Sequence, residues 1–372
     1  MRCLELFAGA GGLAKGFDLA GFSHTALLEW NADACRTLRQ NFTADSIHQV
    51  DIKQVDFTTF ADVDFVVGGP PCQPFSLGGK AKGNLDERDM FPFAIKSIRD
   101  IRPKAFLFEN VKGLLRDSFK EYFEFIILGL TYPDEVNNEA PIDVQLLKLR
   151  SINFKTYSGV KYQVKYKLVN AADYGIPQKR ERVIIVGIRS DVEVDWSFPE
   201  PTHSEDALMW SKFVTNDYWR RHNKDNPYSE DVVQEQMTRL LLKFGMFPPE
   251  ELPWCTIRDA MKPLNESPFA SDTEVRKGAR EYPGHTGSLL DEPSKTIKAG
   301  AHGVPGGENM IKFEDGSVRY LTIGEAKRIQ TFPDEYEITG AWTEAMRQLG
   351  NAVPVGLSYV MAKHLYDLFT AS

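Results

Sequence analysis

Cysteine is scarce: Cys3, Cys35, Cys72 and Cys255 are the only four in 372 residues, and they lie far apart. That spacing excludes a disulfide framework and offers no paired metal ligands, and it fits a reducing cytoplasm. Long apolar runs are missing, which leaves nothing to span a bilayer. No basic stretch followed by an apolar one opens the chain, so no secretory signal is expected. Internal repeats and low-complexity tracts are absent as well. So is an excess of positive charge. The net charge of -8 does not announce nucleic-acid binding, although a local basic cleft can act within an acidic whole. What remains is an ordinary globular composition, 42% hydrophobic and 26% charged. The length suits two domains with a sizeable core.

The chain is organised around Gly68-Gly69-Pro70-Pro71-Cys72-Gln73-Pro74-Phe75-Ser76. Val63-Asp64-Phe65-Val66-Val67 before it reads as a buried strand. Two glycines loosen the backbone and two prolines stiffen it. Cys72 therefore sits on a stiff loop just past a strand's C-terminal end, where open α/β sheets bind ligands. A buried structural thiol and a nucleophile fit this stretch equally well, so the other segments decide.

Arg2 to Phe7 reads as a first strand, followed by the glycine-rich turn Ala8-Gly9-Ala10-Gly11-Gly12 and a helix carrying Leu13, Gly16, Phe17 and Ala20. Ala26 to Glu29 reads as a second strand, and Glu29 lies 18 residues past Gly11. An acid at that distance after a glycine loop can bind ribose hydroxyls. Asn31 can cap the next helix, in which Cys35 reads as a small core residue. Asp51-Ile52 follows a third strand near Ile47 to Val50 and could accept from an adenine amino group. By position alone, a solvated loop acid fits better.

A helical pattern through Ile95, Ile98 and Ile101 ends at Pro103, and Ala105 to Phe108 then reads as a strand ending in Glu109-Asn110-Val111. A second acid thus lies at a strand end, as Cys72 does, and a thiol with a carboxylate suits a nucleophile and a proton donor. Phe119 to Ile126 suggests a helix packed on the sheet, and Tyr162 to Val169 alternates as a strand. Gln178-Lys179-Arg180-Glu181-Arg182 leads into the strand Val183 to Ile188. Arg180 and Arg182, two apart on extended chain, are expected to point to one side. From about residue 198 to 318 the periodicity weakens, as in a loop-rich recognition domain. Trp219-Arg220-Arg221-His222-Asn223-Lys224 reads there as a phosphate-contacting or base-stacking segment. Glycines and histidines gather at His285 to Ser288 and at Gly300 to Gly307. Thr322 with Glu325 forms a capping box, Pro333 ends that helix, and an apolar helix from about Val355 to Phe369 packs on the first domain.

Taken together, these residues resemble the cytosine-5 DNA methyltransferase family, of the prokaryotic modification type. Phe7-Ala8-Gly9-Ala10-Gly11-Gly12 resembles its cofactor loop, and Glu29-Trp30 and Asp51-Ile52 resemble its ribose and adenine contacts. Pro70-Pro71-Cys72-Gln73 resembles the nucleophile loop. Glu109-Asn110-Val111 and Gln178 to Arg182 resemble the further catalytic motifs, and Arg319 to Pro333 and Gln348 to Pro354 the closing pair. Arg88-Asp89-Met90-Phe91 departs from the family, which more often has Arg-Gly and then a leucine.

The resemblance implies an α/β, doubly wound, Rossmann-like methyltransferase domain that uses S-adenosylmethionine and releases S-adenosylhomocysteine. Residues 1–195 and 335–372 would form it, and 196–334 a smaller target-recognition domain. Cys72 would attack C6 of a flipped cytosine in duplex DNA, with Glu109, Arg180 and Arg182 assisting. Gln73 to Lys82 would close as a lid. Pro70, Asn351 and Val353 would join the cofactor or interdomain contacts. A monomer in a prokaryotic cytoplasm is expected, with a restriction endonuclease as a functional partner. A transfer RNA methyltransferase and an inactive DNA-binding homologue are the alternatives. The long middle segment speaks against the first, and the intact Cys72, Glu109 and Arg182 against the second.

Overall fold

The computed structural model describes residues 1–71, 89–137, 140–261, 268–283, 285–299 and 309–371. Cys72, the proposed lid and the 300–307 cluster lie outside the described residues. By their contacts the residues divide into two units. The first holds Met1–Val169, Glu181–Phe198 and Tyr336–Ser372, and the second Asn170–Arg180 and Pro199–Glu335. The short segment between the last two strands of the first unit thus belongs to the second unit.

Continuous apolar runs build the centre of the first unit's sheet, as expected of strands covered on both faces. The strands are β1 (Arg2–Leu6), β2 (Ser23–Glu29), β3 (Ile47–Gln49), β4 (Phe65–Gly68), β5 (Ala105–Val111), β6 (Tyr162–Asn170) and β7 (Glu181–Arg189). Among the described residues they lie in the order β3-β2-β1-β4-β5-β7-β6. Neighbours from β3 to β5 run parallel, and β7 runs antiparallel to β5. Parallel neighbours need crossovers, which α1 (Gly12–Leu19), α2 (Ala32–Asn41) and α3 (Phe91–Ile101) help supply. The α2 helix starts where the sequence places it: Asn31 accepts from the Ala34 N–H at 3.0 Å.

Two apolar layers sandwich the sheet. The larger one joins Leu4, Leu6, Val66, Phe106 and Phe108 to α3, α4 (Lys120–Thr131) and α5 (Ile142–Arg150). The smaller one joins Ala14, Leu27 and Ile47 to Cys35 and Leu38 of α2, so Cys35 is the core residue expected of it.

The second unit is loop-rich, with shorter elements. They are β8 (His203–Ser204), α6 (Glu205–Phe213), α7 (Asp217–Arg221), α8 (Glu230–Phe244), β9 (Leu252–Pro253) and α9 (Ile257–Ala260), then β10 (Ser288–Leu289), β11 (Met310–Lys312), β12 (Val318–Tyr320) and α10 (Ile323–Ile329). The capping box at Thr322 and Glu325 is present, and Arg319 adds a bidentate pair to Glu325 at 2.7 and 2.8 Å. The base-stacking expectation for Trp219 fails. Trp219 and Tyr218 are buried with Leu208 and Trp254, and the Trp219 indole donates to the Lys212 carbonyl. The charges around them pair with acids, Arg221 with Asp259 and Lys224 with Glu314.

The chain returns to the first unit with α11 (Trp342–Asn351) and α12 (Val355–Ala371). A Cβ on Gly16 of α1 would come within 2.3 Å of Ser358, so only glycine admits α12 this closely. Ser358 fills the contact by donating to the Leu13 carbonyl at 2.7 Å.

Candidate active site

Strand register assembles the site. Leu6 pairs with Leu28 and with Gly68, and Gly68 pairs with Phe108. The residues one step further along are Phe7, Glu29, Gly69 and Glu109. They form one row at the C-terminal edge of four adjacent strands. Hydrophobic alternation cannot show this, because the row crosses segments far apart in sequence.

At the β1 and β2 end of the row the backbone is unusual. Phe7 has φ 58°, and Gly9 and Gly11 have φ 54° and 80°. A left-handed Phe7 is a strained conformation of the kind that gathers at functional sites. The Glu29 carboxylate fixes the turn, taking the Gly9 N–H at 2.8 Å on Oε2 and the N–H groups of Trp30 and Asn31 at 3.0 and 2.8 Å on Oε1. Three of about four acceptor positions are thereby filled, and the one left on Oε2 can take a hydroxyl. A Cβ added at Gly9 would meet nothing within 4 Å, so the loop backbone is open to a ligand. The Trp30 indole beside it is 74% exposed. The Ala8 and Ala10 side chains are buried, and Tyr336 anchors the loop by donating to the Ala10 carbonyl at 2.7 Å. These residues fit a nucleoside with ribose hydroxyls. Asp51 is exposed and uses Oδ1 to accept from the Lys53 N–H at 3.0 Å, while Ile52 is buried. Val353 is buried and Asn351 is exposed at the end of α11.

The β4 and β5 end is electrostatic. A Cβ on Gly69 would lie 3.5 Å from Glu109 Oε2, so β4 runs out beside this carboxylate. Glu109 and Arg182 are both buried, and Arg182 Nε meets Glu109 Oε1 at 2.6 Å. The antiparallel course of β7 makes this pair possible. Arg182 opens β7 opposite Val111, at the edge where the parallel strands end. Burial pulls the Arg182 pKa down and the Glu109 charge opposes it. Arg182 Nη1 also donates to the Glu181 carbonyl at 2.7 Å.

Next to Glu109, Asn110 donates from Nδ2 to the buried Pro70 carbonyl at 2.9 Å, while its Oδ1 accepts from the Val111 N–H. Asn110 thus ties the end of β5 to the proline stem that precedes Cys72. The sequence places Asn110 in the Glu109-Asn110-Val111 motif but assigns it no role of its own; the tie to Pro70 is visible only in the fold. Arg180 does not share Arg182's partner. It is 1% exposed and donates from Nη1 to the Ile297 carbonyl at 3.1 Å.

Comparison with known proteins adds to this geometry. The family model for C-5 cytosine-specific DNA methylase matches residues 1–132 and 147–367. Type II methyltransferase M.PspPI of Psychrobacter sp. is 32% identical, across 99% of this chain and 80% of its own length. Type II methyltransferase M.Eco47II of Escherichia coli is 33% identical across 98% and 79%. Among solved structures, a DNA modification methyltransferase encoded within an Escherichia coli prophage superposes with a TM-score of 0.58 at 20% identity, covering 100% of this chain and 99% of its own. S. pombe Dnmt2 methyltransferase gives a TM-score of 0.58 at 17% identity, covering 100% and 99%. At such identities the structural likeness speaks for the fold, a mostly parallel Rossmann-like sheet flanked by helices. The match over nearly the whole length, with an acid, an arginine and a glycine loop gathered on one sheet edge, makes this chain a member of the C-5 cytosine-specific DNA methylase family.

Proposed function

We propose that this protein methylates C5 of a cytosine within a specific duplex DNA sequence, with S-adenosylmethionine as donor, as the modification enzyme of a type II restriction system. Support comes from the buried Glu109–Arg182 pair standing in one row with Glu29 and the open glycine loop. Support for the biological role comes from the type II methyltransferase relatives.

S-adenosylmethionine supplies an electrophilic methyl group when bound. Glu29 and Trp30 would hold its ribose, Phe7 to Gly12 with Pro70 and Val353 would line its site, and Asp51 and Ile52 would contact its adenine. The target base leaves the stack, at a cost of a few kcal/mol. The Cys72 thiolate then bonds to cytosine C6. Glu109 holds the N3 edge and the exocyclic amine and relays a proton from solvent to N3 as the adduct forms, so that the ring is neutralised and electron density moves to C5. Arg182 orients Glu109, holds the cytosine O2, and favours the thiolate over a thiol that ordinarily titrates at about 8.5. After the methyl group is in place a water or hydroxide takes the C5 proton, the C–H electron pair re-forms the C5–C6 double bond, the C6–sulfur bond breaks, and the thiolate returns.

Residues 1–195 and 335–372 carry this chemistry, and 196–334 reads the sequence. Bisulfite sequencing of DNA from cells expressing the protein tests the proposal. Methylated cytosines at one sequence motif are expected, and they should vanish with Cys72→Ala. Unmodified DNA in cells making folded protein would contradict it.

A further inference from the structure

The second unit carries an exposed apolar knob at the C-terminal end of α8. Leu242, Met246 and Phe247 are 83%, 89% and 80% exposed. Gly245, at φ 68°, turns the chain out of the helix, and a Cβ there would meet nothing within 4 Å. A single exposed apolar side chain is ordinary, but several large ones gathered at one helix end mark a contact. Near the other end of α8, a cavity of about 190 Å³ opens among Leu208, Phe213, Tyr228, Val232 and Trp254. Gln236 lies on its wall one turn along from Val232, and its buried Oε1 has no hydrogen-bond partner among the described residues. One helix thus presents a knob at one end and an unfilled apolar hole beside the other.

The charges of α8 are divided in the same sense. Glu230, Asp231 and Glu235 lie in its N-terminal half, and Arg239 and Lys243 in its C-terminal half. Asp231, Glu235, Arg239 and Leu242 recur at steps of four, four and three, so they share one stripe, and all four are exposed. Lys243 meets Asp206 at 2.6 Å, while among the described residues Asp231, Glu235 and Arg239 enter no ion pair. Two copies of α8 laid antiparallel, in register about Met237, bring Glu235 opposite Arg239 and Asp231 opposite Lys243, each pair occurring twice. The same register sets Leu242 against Val232 and Met246 against Tyr228, which are walls of the hole. A parallel pair would instead set like charges together and knob against knob.

We propose that α8 is a homodimer interface, on which a second copy of this chain lies antiparallel and seats its Leu242 to Phe247 knob against Tyr228 and Val232. A contact across a two-fold axis uses one patch twice, so each chain must supply both the knob and the hole, and α8 supplies both. Burial of the knob provides the attraction, and the division of charge provides the direction. DNA is a poor occupant, because α8 opens on acids and Glu250 and Glu251 follow the knob. One helix and its following loop make a small interface, so the dimer forms reversibly, in place of the monomer expected from the sequence.

Sedimentation velocity of the full chain, from about 1 to about 100 μM, tests this. A monomer–dimer equilibrium within that range is expected. Leu242→Glu is expected to weaken association at least about ten-fold with the melting temperature unchanged, since the side chain it replaces is 83% exposed. Glu235→Arg and Arg239→Glu are each expected to weaken it about five-fold, and the two reversals together to restore it. A wild-type chain that stays monomeric throughout overturns the proposal. So does a dimer that Leu242→Glu and both single reversals leave intact, because it must form elsewhere. A monomeric chain whose affinity for duplex DNA falls with Leu242→Glu would assign the knob to DNA instead.

Discussion

At the scale of single residues, the site depends on side chains that hold other groups in place. Asn110 joins the strand end bearing Glu109 to Pro70, two residues before Cys72. A displacement of about 1 Å in a reacting group can cost about 100-fold in rate. We therefore expect Asn110→Ala to lower single-turnover methyl transfer by about 10- to 100-fold while S-adenosylmethionine binding, read by calorimetry, stays at the wild-type value. Equal turnover would show that Pro70 needs no tie. Residue types and spacing made Glu29, Glu109 and Arg182 legible in the sequence, because each ends or opens an apolar strand. Arg180 was not legible in the same way. It looks like its neighbour two positions on, and the carbonyl that claims it lies 117 residues away.

At the scale of elements, β4 and β5 were readable because buried parallel strands are continuous apolar runs, whereas β3 buries only Ile47. The direction of β7 was not, since nothing local records which way a strand runs. Yet that direction brings Arg182 to Glu109. The Trp219 segment misled because adjacent aromatics lead directly into adjacent arginines. On the five-residue α7 that pattern turns Tyr218 and Trp219 inward and leaves the arginines outside. The contact of α1 with α12 is open to test. Gly16→Val would drive a branched side chain into Ser358 and the backbone of Tyr359, both within 2.6 Å of the new Cβ. Overpacking of this kind costs about 1–3 kcal/mol. A fall in the unfolding free energy of that size, read as a lower denaturant midpoint at unchanged slope, is expected, and an unchanged midpoint would mean that α1 and α12 can part freely.

At the scale of the whole molecule, stability should depend on pH in a definite direction. Burial lowers the pKa of His24, His203 and His222 in the folded chain. His24 donates from Nε2 to the Ala14 carbonyl at 2.9 Å, and its Nδ1 lies 3.2 Å from the Cys3 sulfur. Burial raises the Cys3 pKa, so this thiol keeps its proton and can donate it to the ring. The unfolded chain takes up protons on histidine below about pH 6.5, where the folded chain still resists them. Stability is therefore complete above that pH and falls as acid carries the solution down toward the lower folded values. Urea midpoints measured from about pH 7 to about pH 5 should show this decline, and His24→Gln should make it shallower. A steeper or unchanged decline would contradict the neutral ring. The central claim is that the thiol of Cys72 bonds to cytosine. Its most direct test incubates the protein and S-adenosylmethionine with duplex DNA bearing 5-fluorocytosine at the target, where fluorine in place of the departing proton blocks release. A denaturation-resistant protein–DNA adduct linked through Cys72, absent with Cys72→Ala, is the predicted result. Tight binding of that DNA by the wild-type protein with no adduct would contradict the account.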